Sequence, residues 1–312
     1  MMKTIIVLLV LAALVGTQMV AANAEVVTFR RLFGGSNQDF ARGIFVDSNH
    51  IYVVGDTESF GPNPSNLTIS IFYRTDNSHK CSVAVDLGIG IYERGRKVVA
   101  HGGFVYVLGD TNYGSNLNLL LVKIDTDCGV LDAAVYDIDG DDFPQGLSIS
   151  ADGSTIFIAG GSTDAAHLLA VNTSDLSVVW ARLFRVAGAG DSANSVAFSG
   201  DKLYVTGRTS GGDLFVSRFN ATTGDHELTM VFATPQDEEG VDVVVTGDKL
   251  YVAGTYDDPS NLWEFLFMTL DPALNLVLAK TIGTLSLDEV VSLSMVGGLA
   301  YGVGMTNYFG TP

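Results

Sequence analysis

Short apolar runs, each closed by a glycine, recur along the chain. HIYVVG, FVYVLG, TIFIAG, KLYVTG, KLYVAG and LAYGVG end on Gly55, Gly109, Gly160, Gly207, Gly254 and Gly304. The intervals are 54, 51, 47, 47 and 50 residues. A self-similar period of this size marks an array of like units, each too small to bury its own faces. Within a unit, four runs rich in β-branched and aromatic residues alternate with turn residues, which predicts four short strands, a to d. In the fourth unit they read SVAFS, KLYVTG, DLFVSRFN and HELTMVFA; in the fifth, DVVVT, KLYVAG, EFLFMTLD and NLVLAKTI. Glycine or asparagine sits in nearly every a–b turn: Ser48-Asn49, Gly102-Gly103, Asp152-Gly153, Gly200-Asp201, Gly247-Asp248 and Gly297-Gly298.

Strands a and b are apolar almost throughout, the pattern of a sheet with both faces covered by neighbours. No segment sustains a helical period. The predicted fold is all-β, a β-propeller of about six blades of four antiparallel strands. The phrase EVVTFRRLFGG at Glu25–Gly35 matches the d-strand phrases VVWARLF and LVLAKTIG. An N-terminal strand d would then join strands a and b at the other end of the chain and close the last blade, removing free edges. Only NYFGTP follows Thr306, so that blade has no strand c of its own. Three readings stay open: a three-stranded blade, a truncated product, or a strand donated by another chain.

The chain ends qualify this picture. Residues 1–24, MMKTIIVLLVLAALVGTQMVAANA, carry Lys3, an apolar core from Ile5 to Val15 and the small-x-small ending Ala22-Asn23-Ala24. They predict a secretory signal peptide cleaved before Glu25 and a single domain over 25–312. The uncharged stretch from Val290 onward resembles a marginal membrane span, but its glycines and repeat register read as two strands. No membrane span is therefore expected after cleavage, and the product is expected to be secreted or held at the cell surface.

Charge narrows the partners. Without Lys3, 16 basic residues face 35 acidic ones. Such a surface disfavours nucleic acid, which needs phosphate-neutralising side chains, and anionic membranes. Export makes a disulfide feasible, and the two cysteines, Cys81 and Cys128, fall near c–d turns of adjacent blades. N-x-S/T sequons at Asn66, Asn172 and Asn220 are glycosylation candidates, although turn formation also explains the latter two.

The phrases RLFGGSNQDFARGIFVDSNHIYVVGDTESFG, KLYVTGRTS and IFIAGGST resemble the propeller repeats of secreted and surface proteins of bacteria and archaea. Those repeats run roughly W-x-x-x-F-G-G-x-x-x-D-x-A-x-x-[IV], then [IV]-Y-V-x-G-x-T-x-S. The likeness spans Arg31 to Thr306 and implies a propeller; the family is defined by its repeat and not by a chemistry. The chain departs from it at GIGIYERGRKVV, which replaces the G-G-x-x-x-D entry, and in its last blade.

Candidate chemistry follows from the register. Five residues before the first apolar residue of each strand a stand Asp39, Glu93, Asp142, Asp191, Glu238 and Asp288. A ring of six carboxylates at the channel mouth would suit a cation or cationic ligand. In the competing reading each one caps backbone N–H groups of its own turn. The b–c loops on the same face hold Phe60, Tyr113, Tyr256, Trp263 and Tyr308, residues suited to a sugar, peptide or protein surface. The run DIDGDD suggests weak calcium ligands at Asp137, Asp139 and Asp141 but lacks the EF-hand loop. The five histidines show no zinc spacing, and no nucleophile elbow or phosphate loop is present. No cofactor is expected.

The function expected from these residues is a non-catalytic extracellular module that binds a protein or glycan. Two alternatives accompany it. One is a subunit of an extracellular assembly, self-assembled or not, that completes its last blade by strand complementation. The other is a hydrolase or lyase using carboxylates at the channel mouth, which requires a few of the acids to differ sharply in environment.

Overall fold

The structure is a computed structural model. It describes residues 7–11, 34–61, 65–88, 91–114, 116–258, 263–283, 288–296 and 299–306. Strand β1 spans Val7–Leu11. The first four-stranded sheet comprises β2 (Asp39–Val46), β3 (His50–Thr57), β4 (Asn66–Tyr73) and β5 (His79–Val85). The second holds β6 (Glu93–His101), β7 (Phe104–Thr111), β8 (Asn118–Asp125) and β9 (Val130–Tyr136). In the third lie β10 (Phe143–Ile149), β11 (Thr155–Gly161), β12 (Ala166–Asn172) and β13 (Val178–Phe184). The fourth is β14 (Ser192–Ser199), β15 (Lys202–Arg208), β16 (Leu214–Asn220) and β17 (His226–Phe232). The fifth is β18 (Glu238–Thr246), β19 (Lys249–Asp257), β20 (Trp263–Leu270) and β21 (Leu276–Ile282). A last sheet pairs β22 (Asp288–Val296) with β23 (Leu299–Thr306).

Every pairing within these sheets is antiparallel, in the order of the chain. The first strand of each sheet packs on the first strand of the next, from β2 through β22. Cores therefore lie between sheets. Ile69 and Val85 meet Val105 and Val122; Leu119 and Leu121 meet Ile156 and Leu169; Leu168 meets Val205 and Phe215. Val216 meets Val252 and Leu266, and Ala253 meets Val290 and Leu293. This layering explains the unbroken apolar runs of the second and third strands, covered on both sides, and the half-exposed alternation of each fourth strand. No described helix is long and apolar enough to cross a membrane.

The recurrent glycine now has a physical cause. Each first strand carries a β-bulge at one place, skipping Arg42, Arg96, Gln145, Asn194, Val241 or Val291 in its pairing with the second strand. A bulge kinks the strand and increases its local twist. The carbonyl two residues before the skipped one leans onto the glycine of the second strand. A Cβ at Gly55, Gly109, Gly160, Gly207, Gly254 or Gly304 would collide with the carbonyl oxygen of Phe40, Arg94, Phe143, Ser192, Glu239 or Glu289. Gly207→Ala is expected to destabilise the protein by about 1–3 kcal/mol, the range for forcing an extra methyl into a packed site. The check is the urea midpoint; an unchanged midpoint would refute the interlock.

Among the described residues, the third strand of the last sheet is β1, antiparallel to β23 with Val7 opposite Gly304 and Leu11 opposite Ala300. It lies within the apolar segment read as a leader. VLLVL is a strand-length apolar run able to cover the edge that β23 presents. Most of the 25–35 segment lies outside the described residues.

Neighbouring sheets are also stapled at the far rim. Cys81 and Cys128 form a disulfide with Cα atoms 6.0 Å apart. Beside it, Lys80 donates to the Thr126 carbonyl and pairs with Asp127 at 2.9 Å. Similar hooks reach each next turn: Lys123 to the Thr173 carbonyl (2.8 Å), Trp180 to that of Ala221 (3.1 Å) and Arg218 to that of Pro272 (2.6 Å).

Candidate functional site

The six acids found by counting enter the first strands as expected, but most turn inward. Glu93, Asp142, Asp191 and Glu238 are completely buried, and Asp288 is 3% exposed. Their work is capping. Asp39 accepts from the Gly35 N–H (2.8 Å), the Ser59 hydroxyl (2.8 Å) and the Thr57 hydroxyl. Asp191 accepts from the N–H groups of Val186 (2.5 Å), Ala187 (2.9 Å) and Ser210 (2.6 Å). Asp142 takes the Ile138 N–H (2.8 Å), Glu93 the Leu87 N–H (2.9 Å), and Glu238 the Thr234 hydroxyl. An exposed ring of carboxylates around the channel is therefore corrected to a set of loop caps, because each short d–a loop offers N–H groups with no strand partner.

The caps are not equivalent. Burial pushes the Glu93 carboxyl up to about 7 and that of Asp142 up to about 6. Asp39 and Asp191, against the desolvation that would raise them, are held below the usual range by their several hydrogen bonds. Near Asp142, Nδ1 of His167 stands 4.0 Å from Oδ1, and burial drops the imidazole to about 4, so it is neutral. His167 lies opposite Gly160, the register position filled by Leu120, Phe215 and Leu266 in other sheets. It is a core residue and reaches no surface.

The other sequence candidates scatter. Phe60 and Tyr113 are exposed on the b–c loops, whereas Tyr256 packs against the core between sheets four and five and Trp263 is half-buried. Tyr308 lies outside the described residues. Asn66 is completely buried with its amide donating to the Phe60 carbonyl (2.9 Å), so its glycosylation is corrected: no enzyme can reach that nitrogen in the fold. Asn172 and Asn220 are half-buried and accept turn N–H groups from Ser174 (2.9 Å) and Thr222 (2.9 Å). Asp141 accepts the Leu117 N–H (2.9 Å) and Asp137 the Asn116 amide (3.3 Å). Among the described residues no group of three His, Cys, Asp or Glu is placed to hold a metal.

What opens instead is a polar cavity of about 460 Å³ between sheets three, four and five, on the expected face. Gln145, Ser192, Asn194, Arg208, Ser210 and Glu239 line it. The bulge at Asn194 sends its amide across the sheet boundary, where it donates to Glu239 Oε1 (2.7 Å) and to the Gly240 carbonyl (2.9 Å). Burial raises Glu239 above the ordinary glutamate range, and the charge of Glu289 adds to that; the Asn194 hydrogen bond and the Arg208 charge oppose it. Arg208 ends β15 at the position of Asp56 and Asp110 in the first two sheets. It pairs with Asp237 at 2.5 Å through a terminal nitrogen, while its buried Nε–H has no partner. A carboxylate of raised pKa, an orienting amide and a guanidinium lining one cleft are the elements of acid–base chemistry on a polarised carbonyl.

Counting missed Glu239 by a single position. It selected Glu238, the cap, and passed over Glu239, which faces the cavity. A signal was present: the position after the repeat glycine reads Asp, Asp, Gly, Arg, Thr and Met from Asp56 to Met305, and Arg208 breaks the series.

No family model and no curated protein matches the chain. Solved structures do. A putative 6-phosphogluconolactonase of Bacteroides uniformis aligns with a TM-score of 0.54 at 14% identity, over 77% of this chain and 71% of that one. A periplasmic gluconolactonase of Pseudomonas aeruginosa aligns with a TM-score of 0.53 at 15% identity, over 81% and 74%. The Dos1 propeller aligns with a TM-score of 0.54 at 10% identity, over 86% and 67%. At these identities the likeness is one of fold, and it is propeller-like. The expectation of a non-catalytic binding module is not carried forward, because solved proteins that share this fold include ones described as lactonases.

Proposed function

We propose that the protein is an extracytoplasmic hydrolase of lactones, built on a six-bladed propeller, with its site in the cavity of Asn194, Arg208 and Glu239. The observation that carries this reading is the placement of Glu239, raised by burial, and the Arg208 guanidinium in the lining of one cleft, with the Asn194 amide on the carboxylate. The lactonase-like neighbours support the reaction class, and the Cys81–Cys128 disulfide with the periplasmic neighbour supports the compartment.

In this mechanism Asn194 orients Glu239, and the carboxylate removes a proton from a water attacking the lactone carbonyl carbon. The oxyanion that forms is stabilised by the Arg208 guanidinium, which Asp237 holds in place before the reaction. Collapse breaks the ring C–O bond, and Glu239 returns its proton to the departing alkoxide. One water is consumed and one hydroxy acid is released.

A base must be ionised to act. Activity is therefore expected to fall as pH drops through a pKa higher than that of an ordinary glutamate, giving an acidic limb displaced toward neutrality. Acid release from a panel of aldonolactones, followed by pH-stat across this range, tests it. Rates no faster than spontaneous ring opening on every lactone would overturn the proposal.

A further inference from the structure

The bulge positions that form one wall of the cavity continue round the first strands, and on the first two sheets they are arginines. We propose that Arg42 and Arg96 form an anion subsite selecting lactones that carry an additional acid group, a carboxylate or a phosphate. This rests on the lactonase reading for its reaction and on separate residues for its chemistry.

Gln145 and Asn194, the skipped residues of the third and fourth first strands, line the cavity. Arg42 and Arg96 are the skipped residues of the first and second. They thus hold the same address on the strands leading up to Gln145, β6 packing directly on β10. Each is held from behind by a carboxylate that has no access to solvent of its own. Arg42 donates Nε–H to Asp56, which is 4% exposed; Arg96 donates Nε–H to Asp110, which is completely buried and also holds Arg94 at 2.6 Å.

Three guanidinium groups thus share two carboxylates. Burying a carboxylate is costly and is tolerated where it fixes a cation in place. Arg96 is held through Nε, leaving its terminal N–H groups for an incoming oxyanion; Arg42 spends Nε and one Nη2–H (3.3 Å) on Asp56 and keeps its remaining terminal N–H groups, and both side chains stay partly exposed, at 27% and 35%. Aromatic rings brace the arc: Arg42 lies 5.2 Å from the Phe40 centroid and Arg94 lies 4.8 Å from that of Tyr92. In a chain of net charge −18 an anion is repelled in general, so a fixed guanidinium arc at the same register on the neighbouring first strands gives selectivity and not mere attraction. Sheets five and six place Val241 and Val291 at the same address and carry Glu239 and Glu289, which leaves the positive charge on one arc.

Two measurements test this. The first is calorimetric binding of glucarate, a dianion, and gluconate, a monoanion, to the full chain with Glu239→Gln. Glucarate is expected to bind about 10–100-fold more tightly, the worth of one charged hydrogen bond, and the advantage should shrink as salt is raised. Arg96→Gln should bring the ratio toward one, and Arg96→Lys, which keeps the charge, should retain part of it. Equal affinity for the two, or a ratio indifferent to both salt and Arg96, would overturn the subsite. The second compares hydrolysis of gluconolactone, glucarolactone and a phosphorylated gluconolactone by the unmodified protein, which separates carboxylate from phosphate preference. Arg96-dependent glucarate binding without hydrolysis of any lactone would keep the subsite and sink the hydrolase reading. Hydrolysis with no preference for either acid-bearing lactone would do the reverse.

Discussion

Glu239→Gln is expected to lower kcat for lactone hydrolysis by about 10²–10⁴-fold, the contribution of a positioned general base. The substitution keeps the side-chain volume and still offers an oxygen to the Asn194 amide, so the cavity should persist. What disappears is proton uptake. KM should change far less than kcat, because the carboxylate acts on water and not on the bound ring. The acidic limb of the pH profile should vanish with the residual activity, since Glu239 is the group whose ionisation sets it. Glu238→Gln is the control: that side chain is buried and caps Thr234, so its loss should appear in thermal stability and leave the acidic limb in place. Full activity in Glu239→Gln would remove the residue from the mechanism.

The largest effect on stability is expected from the disulfide. Cys81 and Cys128 are separated by 47 residues, nearly one whole repeat. Closing a loop of that length in the unfolded chain is worth about 4 kcal/mol in the chain-entropy model. Cys81→Ser with Cys128→Ser should therefore lose a large share of the folding free energy, read as a drop in the urea midpoint, with a steeper slope because the unlinked unfolded chain exposes more surface. The Lys80 contacts to Thr126 and Asp127 remain in the double variant, so the first two sheets should stay docked in the native state. A reductant should reproduce the loss in the unmodified protein and have no effect on the variant. A midpoint insensitive to both would show that the bond adds little to what the packing already provides.

Much of the fold was legible because it rests on local rules repeated six times. The glycine after each second strand, the turn residues before it and the apolar runs around it all report one constraint, a sheet covered on both faces with a carbonyl pressed onto its second strand. The positions of the six acids were legible for the same reason, and Asp39, Glu93, Asp142, Asp191 and Glu238 act as caps. The cavity was not. A β-bulge adds one residue without changing the alternation of apolar and polar letters on either side, so nothing in the sequence marks Asn194 as skipped or Glu239 as facing inward. The pairing of β1 with β23 was not legible for a different reason. VLLVL is equally good as the core of a leader and as a strand, and composition does not distinguish the two.

The same bulge has an evolutionary consequence. Its skipped residue has no register partner on the neighbouring strand, so its identity is decoupled from the pairing that holds the sheet together. Arginine, glutamine, asparagine and valine all occupy it in one chain over a common backbone. Selection can therefore rewrite what the channel presents one codon at a time, leaving the inter-sheet cores untouched, and gene duplication of a single repeat hands each copy its own independent position to vary.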